Sequence, residues 1–287
     1  MPQKVFINSE MFEADRAFVS ARDSGFLYGA GLFETMRSKN GVVFALDDHL
    51  NRLLSSAKTL GIPHKYDRGY IADVISQTLK VNELSDARIR LTLSGGPTGM
   101  PADKQKGTLV IAATPFEAYP SEYYEKGALA VLCRFRHNTS DPGCGHKTCN
   151  YLSRLLAMDG ARQKGAVESL WFTVDNRLAE GCVSNVFVVK DSKVFTPPLN
   201  TPVLPGIARK HVLQVAAQNA VETVEKDLLI NDLLGADEVF ITNTIMQILP
   251  IAAVEAHVVG DGKVGAVTKQ LTEVFTNHFN MICGGSK

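Results

Sequence analysis

The sequence predicts an α+β protein of two domains, the second richer in sheet. Three observations carry that expectation. Strand-like and helix-like periods are interleaved without the regular order of a dinucleotide-binding Rossmann fold. A stretch holding two prolines and several aromatics but no clean period, 114–127 (TPFEAYPSEYYEKG), interrupts the pattern and reads as the connection between domains. The 287 residues, 45% hydrophobic and 21% charged, suit one large or two moderate globular domains. The boundaries follow as 1–117 and 118–287.

In the first domain, 3–8 (QKVFIN) and 32–37 (LFETMR) alternate like strands. Residues 47–60 form a helical pattern with Asp47 as N-cap, an apolar stripe of Leu50, Leu53, Leu54, Ala57 and Leu60, and Gly61 as the stop. A second helix is expected over 68–80, then strands at 87–94 and 107–113. In the second domain, 128–136 reads as a strand and 138–146 as a loop. A helix is expected over 148–163, with Tyr151, Leu152, Leu155, Leu156 and Met158 as its apolar side. Short strands follow at 168–174, 183–190 and 193–196. Gly206 opens a helix to about 219, and 237–242 is the last buried strand.

Thirty basic and thirty acidic residues leave no net charge, so the chain lacks the electrostatic footprint of a nucleic-acid binder. The first residues have neither the apolar core of a signal peptide nor the basic character of a transit peptide. No apolar run approaches the roughly 20 residues that span a bilayer. Five cysteines, an odd number in a chain too large to need staples, point to a reducing cytoplasm. Cys144, His146 and Cys149 lack the second cysteine pair of a usual zinc site, so no metal is expected.

Five segments suggest chemistry. In HKTCNY, Lys147 ends a Gly/Cys loop and is expected to open a helix, whose positive end would help hold the amine neutral for attack on a carbonyl. In LAEGCVSNVFVV, Glu180 and Gly181 precede an apolar strand that embeds Ser184 and Asn185, and a buried Asn needs a partner. In LPGIARKH, Leu204, Gly206 and Ile207 lie at a helix start whose free N–H groups suit a phosphate. Arg52, at the apolar edge of the 47–60 helix, carries a fork for phosphate oxygens. In FITNT, Thr242, Asn243 and Thr244 place small polar residues at a strand end, again suited to an oxyanion. Each segment alone has an ordinary reading as a surface lysine, an exposed strand start or a Pro-Gly turn. Gly29-Ala30-Gly31 begins like a dinucleotide fingerprint but lacks its third glycine.

Together and in this order, H-x-x-R-L, H-K-T-x-N-Y, E-G-x-x-S-N, L-P-G-I-x-R and T-N-T resemble the class IV aminotransferases, which use pyridoxal 5′-phosphate (PLP). The likeness spans roughly residues 4 to 252, including the opening FIN…SARDSGFLYGAGLFETMR. The family includes branched-chain aminotransferases, D-amino-acid transaminases and aminodeoxychorismate lyases. The resemblance implies a small α/β N-terminal domain, a larger C-terminal domain with a barrel-like sheet, PLP in the cleft between them, and a homodimer with shared active sites. It implies Lys147 as the Schiff-base lysine and proton shuttle, and Glu180 as the acid at the pyridine nitrogen. Arg52, Gly206, Ile207, Asn243 and Thr244 match the phosphate cradle, Leu204 the residue packed on the ring, and Tyr151 the tyrosine at the 3′-oxygen, with Ser184 and Asn185 also counted among the cofactor-binding residues. Asn243 stands where many relatives have glycine.

On the substrate side, Tyr28 and Phe33 match the wall of the branched-chain pocket, and Arg90 an arginine that meets a distal carboxylate in some relatives. The other reading of Arg90 is an arginine on the exposed face of a strand. The arginine-x-histidine pair of D-specific transaminases is absent from 94–100 (SGGPTGM). The expected activity is transfer of an amino group between a branched-chain L-amino acid and 2-oxoglutarate. The alternative is an aminodeoxychorismate lyase releasing pyruvate and 4-aminobenzoate, which uses the same lysine. A chain that only carries PLP, without turnover, is disfavoured because every chemical group is present.

Overall fold

The computed structural model describes residues 3–99, 101 and 106–284. Met100, which closes the SGGPTGM segment, lies outside them. The chain divides into two compact units. The first comprises Met1–Glu117, His146–Asn150 and Phe279–Lys287, and the second Ala118–Gly145 and Tyr151–His278. His146–Asn150 thus returns to the first unit from a stretch of chain flanked on both sides by the second.

The first unit is an antiparallel sheet with helices on one face. Its elements are β1 (Lys4–Ile7), β2 (Glu10–Glu13), α1 (Ser24–Tyr28), β3 (Gly31–Lys39), β4 (Val42–Val43), α2 (Leu46–Thr59), α3 (Arg68–Val81), β5 (Ala87–Ser94) and β6 (Thr108–Pro115). The six strands run in the order β2-β1-β6-β5-β3-β4. Period-two alternation decides the faces. Leu32, Met36, Ile89, Leu91, Leu93, Leu109 and Ile111 point into a core closed by Leu50, Leu53 and Ala57 of α2 and Ile71, Val74 and Ile75 of α3. The helix expected over 47–60 begins one residue earlier. Its N-cap is Ala45, in the left-handed region, and Asp47 lies in the first turn, where its charge still suits the helix dipole. The short α1 was not legible, because five residues of mixed character carry no period.

The second unit holds α4 (Ser121–Lys126), β7 (Ala128–His137), α5 (Leu152–Gln163), β8 (Glu168–Thr173), β9 (Leu178–Gly181), β10 (Asn185–Lys190), β11 (Lys193–Thr196), α6 (Ile207–Gln218), β12 (Thr223–Glu225), α7 (Ile230–Leu234), β13 (Glu238–Asn243), β14 (Gln247–Val254), β15 (His257–Val258) and α8 (Ala266–Cys283). Nine strands form one sheet, in which β10-β13-β14-β7-β8-β9 closes into a ring when β9 pairs with β10. The ring closes through a single register pair, Glu180 with Asn185. Val186, Val188, Ile241, Leu249, Ile251 and Leu170 fill its core.

Four expectations for this unit need correction. The 114–127 connection contains a helix, α4. The helix expected from 148 begins at Leu152, with Tyr151 as N-cap, because Thr148 is drawn into a bridge with Leu32 of β3. Its buried side is Ala157 and Ala161, while Leu152, Leu155 and Leu156 are exposed. The strand at 237–242 is not the last, since β14 follows through a tight turn and pairs along β13. No helix among the described residues is long and apolar enough to cross a membrane.

Candidate active site

The first unit gathers Lys147, Phe33 and Arg90. Phe33 N–H donates to the Lys147 carbonyl at 2.9 Å and Cys149 N–H to the Gly31 carbonyl at 2.8 Å, so the lysine segment lies along the start of β3. Lys147 therefore opens no helix, and the dipole argument for its amine does not apply. Its Nζ lies 4.6 Å from the centre of the Phe33 ring, and the Arg90 guanidinium carbon lies 3.4 Å from the same centre. Arg90 is on an exposed strand face, as one reading held, yet it covers a buried aromatic. Tyr28, at the end of α1, is 69% exposed.

Glu34, next to Phe33, points to the opposite face, towards α2. Arg52 Nε donates to Glu34 Oε1 at 2.8 Å and Nη2 to Oε2 at 2.5 Å, while His49 Nδ1 lies 2.8 Å from Oε2. Burial alone would raise the Glu34 carboxyl, but Arg52 and His49 outweigh it and hold it at about 2. Burial lowers His49, with Arg52 and Lys147 adding to the effect and Glu34 opposing it. Arg52 is thus oriented by a fully ionised carboxylate that the sequence had not flagged.

The second unit gathers the remaining residues around the ring closure. Glu180 is 3% exposed and lies within a strand of its own, not ahead of one. Its Oε1 accepts from Arg154 Nη2 at 2.5 Å, and its Oε2 from Leu204 N–H at 2.9 Å. Asn185 Nδ2 donates to the Leu204 carbonyl at 2.9 Å, which supplies the buried partner its sequence context required. The Leu204–Gly206 loop is therefore fastened by both members of the closing pair. A Cβ at Gly206 would collide with Asn185 Oδ1, so a larger residue there would have to displace the Asn185 side chain. Tyr151 Oη donates to the Cys182 carbonyl at 2.9 Å. Burial, reinforced by Glu180, pushes its phenol up to about 12 although Arg154 opposes.

Glu168 anchors the turn between β9 and β10. It accepts from Ser169 N–H, Cys182 N–H, Val183 N–H and Ser184 Oγ at 2.9, 2.8, 3.3 and 2.7 Å. Burial raises its carboxyl, against the pull of those donors. Asn243 uses its side chain locally. Oδ1 accepts from Ile245 and Met246 N–H at 2.8 Å, and Nδ2 donates to the Val183 carbonyl at 3.1 Å. The side chain that replaces the family's glycine thus closes its own turn.

The residues fit PLP in two respects. α6 begins at Ile207 and its N-cap, Gly206, offers no side chain to cap it, so its first-turn N–H groups suit a phosphate. A buried carboxylate, Glu180, and a tyrosine with a retained proton, Tyr151, share one hydrogen-bonded network and can serve a ring nitrogen and an oxygen. Sequence reasoning missed Arg154, Glu168 and Glu34. The available signals were a cation in a helix's first turn and carboxylates inside apolar strands.

The family model for class IV amino-transferases matches residues 31–254. The branched-chain-amino-acid aminotransferase of Escherichia coli is 32% identical over 96% of this chain and 92% of its own length. A solved structure of an E. coli branched-chain aminotransferase superposes with a TM-score of 0.91 at 31% identity, covering 97% of this chain and 95% of that one. A D-alanine aminotransferase of Bacillus licheniformis is 29% identical over 96% of both chains. The 4-amino-4-deoxychorismate lyase structure from Pseudomonas aeruginosa gives a TM-score of 0.84 at 28% identity, covering 95% of this chain and 98% of that one. With most of its length matched by the family model and its fold shared with these enzymes, the chain belongs to the class IV aminotransferases.

Proposed function

We propose that this enzyme moves an amino group between an L-amino acid of branched-chain type and 2-oxoglutarate, using PLP. When bound, PLP supplies an electron sink for charge developing at the substrate Cα. Lys147 would hold it covalently and carry the proton between Cα and the cofactor carbon. Glu180 would accept the hydrogen bond of the pyridine N–H, with Tyr151 at the 3′-oxygen and Leu204 against the ring. Arg52, Gly206, Ile207, Asn243 and Thr244 would bind the phosphate, while Ser184 and Asn185 hold the strand and loop that present them.

The observation that supports this substrate pair is the Phe33 ring, whose centre lies 4.6 Å from Lys147 Nζ and 3.4 Å from the Arg90 guanidinium carbon. An aromatic ring there suits an aliphatic side chain, with Tyr28 as the further residue that would line the pocket, and a guanidinium beside it suits the distal carboxylate of glutamate. The absence of the arginine-x-histidine pair from 94–100 favours L over D substrates. Exposed Phe18, Phe26 and Tyr28 in the first unit, and exposed Leu152 and Leu155 in the second, support a homodimer that covers them. Five free cysteines suit the cytoplasm.

The kinship with a lyase structure gives one competing reading. Initial rates with leucine, isoleucine, valine and D-alanine, each with and without 2-oxoglutarate, are compared with pyruvate release from aminodeoxychorismate. Turnover of the branched-chain donors that depends on 2-oxoglutarate is expected. Catalytic pyruvate release without an added oxo acid, and no reaction of the branched-chain donors, would establish the lyase instead.

A further inference from the structure

Arg154 lies in the first turn of α5, at the partly positive end of the helix, where a cation is disfavoured. Its surroundings answer that cost. Nη2 donates to Glu180 Oε1 at 2.5 Å, and Nη1 donates to the carbonyls of Gly181 and Cys182 at 3.0 and 2.8 Å. Burial works against the guanidinium charge, but Glu180 more than restores it, so Arg154 holds its proton more firmly than usual. The Cys182 carbonyl that it shares also accepts from Tyr151. Glu180 is fixed at both oxygens, by Arg154 on one and by Leu204 N–H on the other. His137 Nε2, the nearest imidazole nitrogen, stands 3.6 Å from Oε1, too far for a hydrogen bond, with its ring stacked on Trp171.

We propose that Arg154 is a positioning residue for Glu180: it matches the charge of the buried carboxylate and fixes its rotamer, leaving the unclaimed lone pairs aimed at an aromatic ring N–H. The inference rests on the assignment of Glu180 to the pyridine nitrogen. A buried carboxylate stripped of its cation is left uncompensated and turns or relaxes to find new partners. Its hydrogen bond to a ring nitrogen then weakens, while contacts to the rest of the ligand are untouched. Arg154 therefore governs how well the site tells a ring N–H from a ring C–H.

The test is equilibrium binding of PLP and of its 1-deaza analogue, in which CH replaces the ring nitrogen, to the apoprotein by fluorescence titration. Wild type, Glu180→Gln, Arg154→Met and Arg154→Gln are compared through the ratio of the two dissociation constants. A hydrogen bond to a charged group predicts that wild type prefers PLP by roughly ten-fold or more. Glu180→Gln should lose most of that preference. No preference in wild type, or full preference in Glu180→Gln, removes the Glu180 assignment whatever the Arg154 variants do. Given the preference, Arg154→Met should cut it several-fold, towards the Glu180→Gln value. General loosening of the fold weakens both ligands alike and leaves the ratio unchanged, so an unchanged ratio overturns the proposal. Should Arg154→Met fail to fold, the neutral, hydrogen-bonding Arg154→Gln decides in the same way.

Discussion

Replacing Glu34 with Gln keeps the shape of the β3–α2 contact and removes its charge. Glu34 is 1% exposed and is held at about 2 against an ordinary 4.5. At about 1.36 kcal/mol per pH unit, that depression contributes about 3 kcal/mol of stability near neutral pH. The folded pKa lies below the unfolded one, so the contribution is complete above pH 4.5 and disappears as pH falls towards 2. By pH 3 about 2 kcal/mol of it should be gone. Urea unfolding of the wild type and Glu34→Gln, followed by circular dichroism between pH 6 and pH 3, reads the difference, because titrating groups other than His49, which Glu34 contacts, cancel between the two proteins. The gap between them should narrow by that amount as the pH drops. A gap that stays constant across the range would show that Glu34 is not held ionised by Arg52 and His49, and would remove the physical basis for a fixed Arg52.

Three further outcomes follow from the site. Glu180→Gln should slow single-turnover proton abstraction by a few powers of ten, about 3–5 kcal/mol, with cofactor still bound; unchanged stopped-flow rates would take Glu180 out of the site. Arg90→Leu should raise KM for glutamate and 2-oxoglutarate more than for leucine, since only the former carry a distal carboxylate, and equal effects on both would assign Arg90 to the fold. Gly206→Ala should displace Asn185 from the Leu204 carbonyl and lower cofactor retention on dialysis; retention equal to wild type would mean that the loop tolerates a Cβ where the packing allows none.

What the sequence could show was set by period and by motif. β5 matches the expected segment because apolar and polar residues alternate without a break over 87–94. The stripe of α2 was legible for the same reason. The start of α5 was not, because Leu152, Leu155 and Leu156 satisfy a helical period while lying exposed on their own unit; an apolar stripe states that a face will be covered, not by what. The sequence places Glu180 and Gly181 ahead of a strand at 183–190, and β9 as a strand of its own is hidden because the break at Cys182–Ser184 depends on Glu168, distant in sequence. For the site, the motifs supplied the residue identities, and the structure supplied what holds them. Glu34 behind Arg52, Arg154 behind Glu180 and Asn185 under Gly206 are pairings between residues distant in sequence, so even where a residue stands out locally its partner does not.

Lys147 carries the central claim, and reduction of the PLP-loaded protein with borohydride followed by peptide mapping tests it most directly. The account predicts a pyridoxyl group on the peptide containing Lys147 and on no other. A label on any other lysine, with Lys147 unmodified, would contradict it.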